Sequence, residues 1–190
     1  VFDGHRYFET GNRNKYFKVN GRKIGLSICE DAWYSVDVMD MKRHEYNPFD
    51  RVDTDTDLMI NLSASPFRSG KHKERIELFH QHAVSSGCPL VFCNQVGGND
   101  ELVFDGNSFL VTPKGRISDL SGFTEDMKVI RSGEKPKENS YNTDDIGTIK
   151  SALVLGIKDY FEKTGFSEAI VGMSGGIDSS VATALTVEAL

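Results

Sequence analysis

At 190 residues with 38% hydrophobic content, the chain is long enough for one large or two small domains with a real core. Acidic residues outnumber basic ones, 28 to 22, for a formal charge of -6, and no basic run is interleaved with aromatics, which argues against a nucleic-acid surface. No apolar run could cross a bilayer, Val1-Phe2-Asp3-Gly4-His5-Arg6 is not a signal peptide, and Cys29, Cys88 and Cys93 lack the Cys-x-x-Cys spacing of a structural zinc site, so a cytoplasmic protein with no membrane partner is expected.

In chain order, Lys15 to Val19 and Arg22 to Ile28 read as two strands joined by an Asn20-Gly21 turn of type I′. The second strand grows apolar toward its end and delivers Cys29, followed by Glu30-Asp31-Ala32-Trp33. Two readings of Cys29 are open. A thiol at the end of a buried strand can be a nucleophile held on a sharp turn, and free cysteine is also among the most frequently buried residues. Tyr34 to Asp57 supports no assignment. Asp57 to Leu62 reads as a buried strand, and Ser63 to Gly70 as a polar loop. Lys71 to Ser86 is a helix with Ile76, Phe79, His80 and Ala83 at three- and four-residue spacing and Gly87 as its stop. Pro89 to Asn94 is a further strand. The pattern then predicts a turn at Gly97-Gly98-Asn99-Asp100, strands at Leu102 to Phe104 and Ser108 to Val111, and a turn at Pro113-Lys114-Gly115. This alternation predicts an α/β layered architecture. Ser132 to Asp145 is polar and linker-like, and Ile146 to Lys163 returns to helical spacing with Gly165 as its stop.

The last segment predicts a strand at Ala169 to Val171, a glycine turn and a helix through Val181 to Leu185. Gly175 and Gly176 let backbone approach a ligand, and the amides of the turn and first helical turn favour an anion. Ser174, Ser179 and Ser180 add hydroxyls, and Asp178 is placed to hold magnesium against phosphates. A plain glycine turn capping a helix is the competing reading. Ser174-Gly175-Gly176-Ile177-Asp178-Ser179-Ser180 resembles the pyrophosphate loop of ATP pyrophosphatases, which activate a carboxylate or carbonyl as its adenylate. It lacks the lysine of the kinase and GTPase loop.

A wider resemblance joins these parts. Leu26-Ser27-Ile28-Cys29-Glu30-Asp31-Ala32-Trp33, Asn61-Leu62-Ser63-Ala64-Ser65-Pro66-Phe67 and Asn94 through Gly106 resemble the nitrilase-superfamily glutaminase domain of the glutamine-dependent NAD synthetases. The order of modules matches as well. The resemblance implies half of a nitrilase-type α-β-β-α sandwich over residues 1–131, a linker over 132–145, and the start of a Rossmann-like ATP pyrophosphatase domain over 146–190. It covers essentially the whole chain and implies an internal piece of such a ligase, so no NAD synthesis is expected from these 190 residues alone.

By resemblance, Cys29 is the thiol that attacks glutamine, and Ser65 and Lys71 contact that substrate, although a turn serine and a helix-start lysine would look the same. The partner lysine and glutamate of the family would lie before Val1. Gly172, Met173, Ser174, Gly175, Gly176, Ile177, Asp178 and Ser179 correspond to the ATP site, with Asp178 toward magnesium. The implied substrates are glutamine, ATP and nicotinic acid adenine dinucleotide, and the implied assembly is a homo-oligomer. Gly4 stands where the family usually has an acidic residue before Arg6-Tyr7-Phe8. Two alternatives are another pyrophosphate-loop amidotransferase, against which the Cys29 segment argues, and a non-catalytic nitrilase-like scaffold.

Overall fold

The computed structural model describes residues 7–9, 11, 14–33, 47–130 and 145–190. Gly4 and nearly all of the expected linker, 132–144, lie outside the described residues.

The first hairpin forms because Asn20 and Gly21 both take positive φ, +49° and +79°, which matches the right-handed twist of paired strands. It joins β1 (Lys15–Val19) to β2 (Arg22–Ile28), with Val19 opposite Arg22. β3 (Leu58–Ser63) runs parallel to β2, and β4 (Leu90–Asn94) parallel to β3. Helix α1 (Lys71–Ser86) makes the crossover between them. β7 (Phe109–Thr112) and β8 (Gly115–Asp119) add antiparallel strands, completing a six-stranded sheet in the order β1-β2-β3-β4-β7-β8.

One face of this sheet is the core. Gly25 and Ser27 of β2, Met59 and Asn61 of β3, Leu90, Phe92 and Asn94 of β4, and Phe109 and Val111 of β7 are all buried, as the two-residue period of a strand requires. α1 covers them with Ile76, Phe79 and Ala83. Phe79 meets Phe92 edge-on at 4.8 Å and Phe109 at 5.7 Å. His82, rather than the expected His80, is the buried histidine of α1, stacked on Phe49 at 4.2 Å with Nε2 2.7 Å from Ala32 O. The opposite sheet face is open: Ile28 is 68% and Leu62 48% exposed.

The strand carrying Gly97 and Gly98 was not foreseen, although its partner at Leu102 to Phe104 was. β5 (Val96–Asn99) and β6 (Leu102–Asp105) form a separate hairpin, so the expected turn at 97–100 is instead a strand, with the reversal at Asp100-Glu101. Gly97 and Gly98 are there for close approach. Helix α2 (Asp145–Thr164) lies on this hairpin, and a Cβ on Gly98 would stand 3.2 Å from Gly156 Cα. Asp159 Oδ2 accepts from Gly98 N at 2.6 Å, and Lys163 Nζ donates to Gly98 O. β8 was the other strand hidden behind a turn signal.

The expected strand at Ala169 to Val171 is not in a sheet. Residues 165–176 hold no ladder, and Ile170 is fully exposed. A strand exists only by pairing, and no described strand lies alongside it. Helix α3 (Ile177–Ala189) follows, tied to α2 by Lys150 and Glu188 at 2.8 Å.

Candidate active site

The parallel pairing of β2 and β3 sets Ile28 opposite Leu62, so the next residues along, Cys29 and Ser63, meet at the carboxyl ends of both strands. Cys29 has φ +34°, a left-handed value for a residue that bears a Cβ. That bend stops β2 and starts a one-turn 3-10 helix, Cys29–Trp33. Asp31 fastens the turn by accepting from Ile28 N at 2.7 Å. Strain of this kind persists where surrounding structure holds it, which is typical of residues that present reactive groups.

Burial pushes the Cys29 thiol up from its ordinary pKa, and the neighbouring Glu30 carboxylate acts in the same direction. The Ser63 hydroxyl, the Ala64 amide and the charge of Arg75 act the other way. Beneath the site, Asn61 is fully buried; its Nδ2 donates to Ser27 Oγ at 3.0 Å, and Ser63 Oγ donates to Asn61 Oδ1 at 2.6 Å.

The loop after β3 is held from below by a buried cation. Arg75, fully buried, makes five hydrogen bonds through its guanidinium: Nε to Ser65 Oγ at 3.1 Å, Nη1 to the two Asp105 oxygens at 2.8 and 2.9 Å, and Nη2 to Ser65 O and Pro66 O at 2.9 Å each. Asn94 completes the support, accepting from Ser65 N at 2.8 Å and donating to Gly106 O at 3.0 Å. This frame fixes the backbone from Ser63 to Pro66, and with it the Ala64 amide beside the sulfur. Ser65 is itself 1% exposed, and its hydroxyl oxygen accepts from Arg75.

Lys71 opens α1 and lies over the Trp33 ring, 3.6 Å from its centroid, with Glu74 Oε2 at 3.7 Å. Burial lowers its pKa from the ordinary lysine value. Trp33 is the last residue of the turn that begins at Cys29, so its contact with Lys71 ties the start of α1 to that turn.

The second candidate site is an open loop. Gly175 takes φ +84°, and nothing lies within 4 Å of a Cβ placed on Gly172 or Gly175. Ser174 Oγ is 3.2 Å from Ser179 Oγ and accepts from Gly176 N at 3.4 Å. Ser179 and Ser180 both donate to Gly176 O, at 3.1 and 2.9 Å. The α3 N-terminus, with Gly176 as a cap that offers no side chain, leaves its amides open, and Met173, Ile177 and Asp178 stand around it. Among the described residues no three His, Cys, Asp or Glu side chains converge as a metal group.

A comparison with known families accounts for most of the chain: residues 2–130 match the carbon-nitrogen hydrolase model. The chain belongs to the carbon-nitrogen hydrolase family. Residues 149–190 match the NAD synthase model. The glutamine-dependent NAD(+) synthetase of Synechocystis sp. is 43% identical over all of this chain and 36% of that protein. The solved structure of glutamine-dependent NAD+ synthetase from Acinetobacter baumannii, in complex with ADP, is 32% identical and covers 100% of this chain and 35% of that one, with a TM-score of 0.83. The Cytophaga hutchinsonii enzyme of the same name shares the fold at 21% identity and a TM-score of 0.70, over 93% of this chain and 26% of its own. The chain thus spans about a third of the length of these relatives.

In carbon-nitrogen hydrolase terms, the elbow thiol was legible from sequence, while the frame beneath it was not. Arg75 sits in the polar-looking first half of α1, thirty residues before Asp105 in sequence, and no local pattern pairs them. Asn61 and Ser27 also escaped notice; the signal available was a polar residue at alternate positions of two otherwise buried strands.

Proposed function

We propose that the complete protein carrying this chain is a glutamine-dependent NAD synthetase. Residues 1–131 belong to its glutaminase, 132–145 to a linker and 146–190 to the opening of its ATP-using domain. The observation that carries this reading is Cys29 on a strained elbow at the ends of two parallel strands, in one chain with an open glycine-serine loop at a helix N-terminus. The open sheet face at Ile28 and Leu62 fits the inner layer of an α-β-β-α sandwich.

Cys29 Sγ, once deprotonated, attacks the side-chain amide carbon of glutamine. The tetrahedral adduct collapses, the C–N bond breaks, and protonation of the departing nitrogen releases ammonia and leaves a thioester on Cys29. Water then cleaves the thioester to glutamate. Lys71 offers a cation and Ser65 a hydroxyl proton to the polar groups of glutamine, while the Ala64 amide steadies the sulfur. At the second site, the amides and hydroxyls of 172–179 receive the phosphates of ATP. Magnesium, with Asp178 as a protein ligand, would neutralise phosphate charge there. ATP adenylates the carboxylate of nicotinic acid adenine dinucleotide, releasing pyrophosphate, and ammonia displaces AMP to give NAD. A homo-oligomer in the cytoplasm is the setting we assign to it.

The test uses the complete protein and glutamine labelled with nitrogen-15 at the amide. The label enters NAD in the wild type. Cys29→Ala abolishes this transfer yet still makes NAD from ammonium; label transfer by Cys29→Ala overturns the reading.

A further inference from the structure

A chain of polar groups leads from the core to the Cys29 sulfur. Ser27 and Asn61 are direct neighbours across the parallel β2–β3 pair, Ser63 follows Asn61 on the same face of β3, and Ser63 is level with Cys29. The bonds between them point one way: Asn61 Nδ2 donates to Ser27 Oγ, and the one Ser63 proton goes to Asn61 Oδ1. A hydroxyl that has given its proton away can only accept from a neighbouring thiol. We propose that Ser27, Asn61 and Ser63 are positioning residues for Cys29, a reversible hydrogen-bond relay whose observed direction holds the nucleophile as a thiol and whose reversed direction stabilises the thiolate.

The reversal needs no new space. Turning the Asn61 amide by half a rotation exchanges Oδ1 and Nδ2 in nearly the same volume. Ser27 then donates to Oδ1, Nδ2 donates to Ser63, and the Ser63 proton points at the sulfur. Asn61 Oδ1 and Nδ2 each keep a partner in both states, which matters because Asn61 is fully buried and an orphaned amide there would be penalised. Burial raises the thiol, and the Ser63 hydroxyl beside the sulfur acts the other way, as donation to a thiolate in the reversed direction would. The relay thus keeps the thiol unreactive at rest and supplies a donor when the proton leaves. This inference rests on the assignment of Cys29 as the glutaminase nucleophile.

The test is the pH profile of Cys29 alkylation by iodoacetamide in the complete protein without glutamine, a reaction in which the thiolate displaces iodide and the thiol proton passes to buffer. Asn61→Leu frees the Ser63 proton for the sulfur, so alkylation at pH 7.5 should accelerate about three- to tenfold, a shift of up to about one pH unit. Ser27→Ala, which changes little volume, should act in the same direction because it releases the amide to turn. Ser63→Ala should slow alkylation, Ser63→Thr should restore it, and Asn61→Leu should have no effect in a Ser63→Ala background. Unchanged or slower alkylation in Ser27→Ala, or an Asn61→Leu acceleration that survives Ser63→Ala, overturns the relay. The readout does not use glutamine turnover: these shifts in a protein that fails to hydrolyse glutamine would leave the relay standing and remove the glutaminase reading.

Discussion

Arg75 and Asp105 give the sharpest prediction about the frame under the site. Both side chains are out of water, 0% and 2% exposed, and they meet through two bonds of 2.8 and 2.9 Å. Arg75→Met keeps much of the volume but leaves the Asp105 carboxylate buried with Asn107 Nδ2, at 2.7 Å, as its remaining side-chain donor. Losing one partner of a buried pair destabilises by about 3–5 kcal/mol. Asp105→Leu strands the guanidinium and should fall in the same range. The double variant carries no uncompensated charge. In common with Arg75→Met it loses the donors to Ser65 Oγ, Ser65 O and Pro66 O, of which Ser65 O keeps Asn94 Nδ2 at 3.3 Å, and each buried acceptor left unpaired costs about 1–3 kcal/mol. Urea unfolding of the three variants forms a double-mutant cycle, in which the coupling should exceed about 2 kcal/mol and the double variant should be more stable than Arg75→Met. A loss below about 1 kcal/mol for Arg75→Met, the behaviour of a solvated pair, would refute the reasoning.

Two other expectations follow from named contacts. His82 is held neutral by burial, its pKa depressed below the ordinary 6.5, although its bond to Ala32 O and the charge of Asp50 pull the other way. The unfolded chain therefore takes up the proton first, so this contribution to stability is complete above about pH 6.5 and declines as pH falls below it; thermal melts of His82→Gln should lose that part of the pH dependence, and an unaltered profile would count against it. Gly156 packs against the β5–β6 hairpin, where a Cβ would stand 3.1 Å from Val103 Cγ2. Gly156→Val should push α2 off the hairpin, and amide exchange at Gly98, now bonded to Asp159, should rise at least tenfold, whereas unchanged exchange would show that the helix tolerates the branch.

Features encoded within a few residues were legible in the sequence. The Asn20-Gly21 turn, the bounds of α1 and the strand that ends at Cys29 each depend on local φ preference or on a single period, and the structure shows all three. Misreadings arose where the local signal served a distant purpose. Gly97 and Gly98 look like a turn because glycine usually marks one, yet they lie in a strand whose missing side chains admit Gly156. Ala169 to Val171 has strand composition, but composition does not supply a partner. At the candidate site the sharp turn at Cys29 was readable. The buried Arg75–Asp105 pair and the Ser27–Asn61–Ser63 chain were not, because each joins elements that meet only after the sheet has formed.

The proposed role of Cys29 as a glutamine-attacking nucleophile can be tested on the thiol itself. The most direct measurement treats the complete protein with a diazoketone analogue of glutamine and maps the adduct by peptide mass spectrometry. A single covalent adduct is expected on Cys29, slowed by excess glutamine and absent from Cys29→Ser. An unmodified Cys29, or equal labelling of the exposed Cys93 with no protection by glutamine, would contradict it.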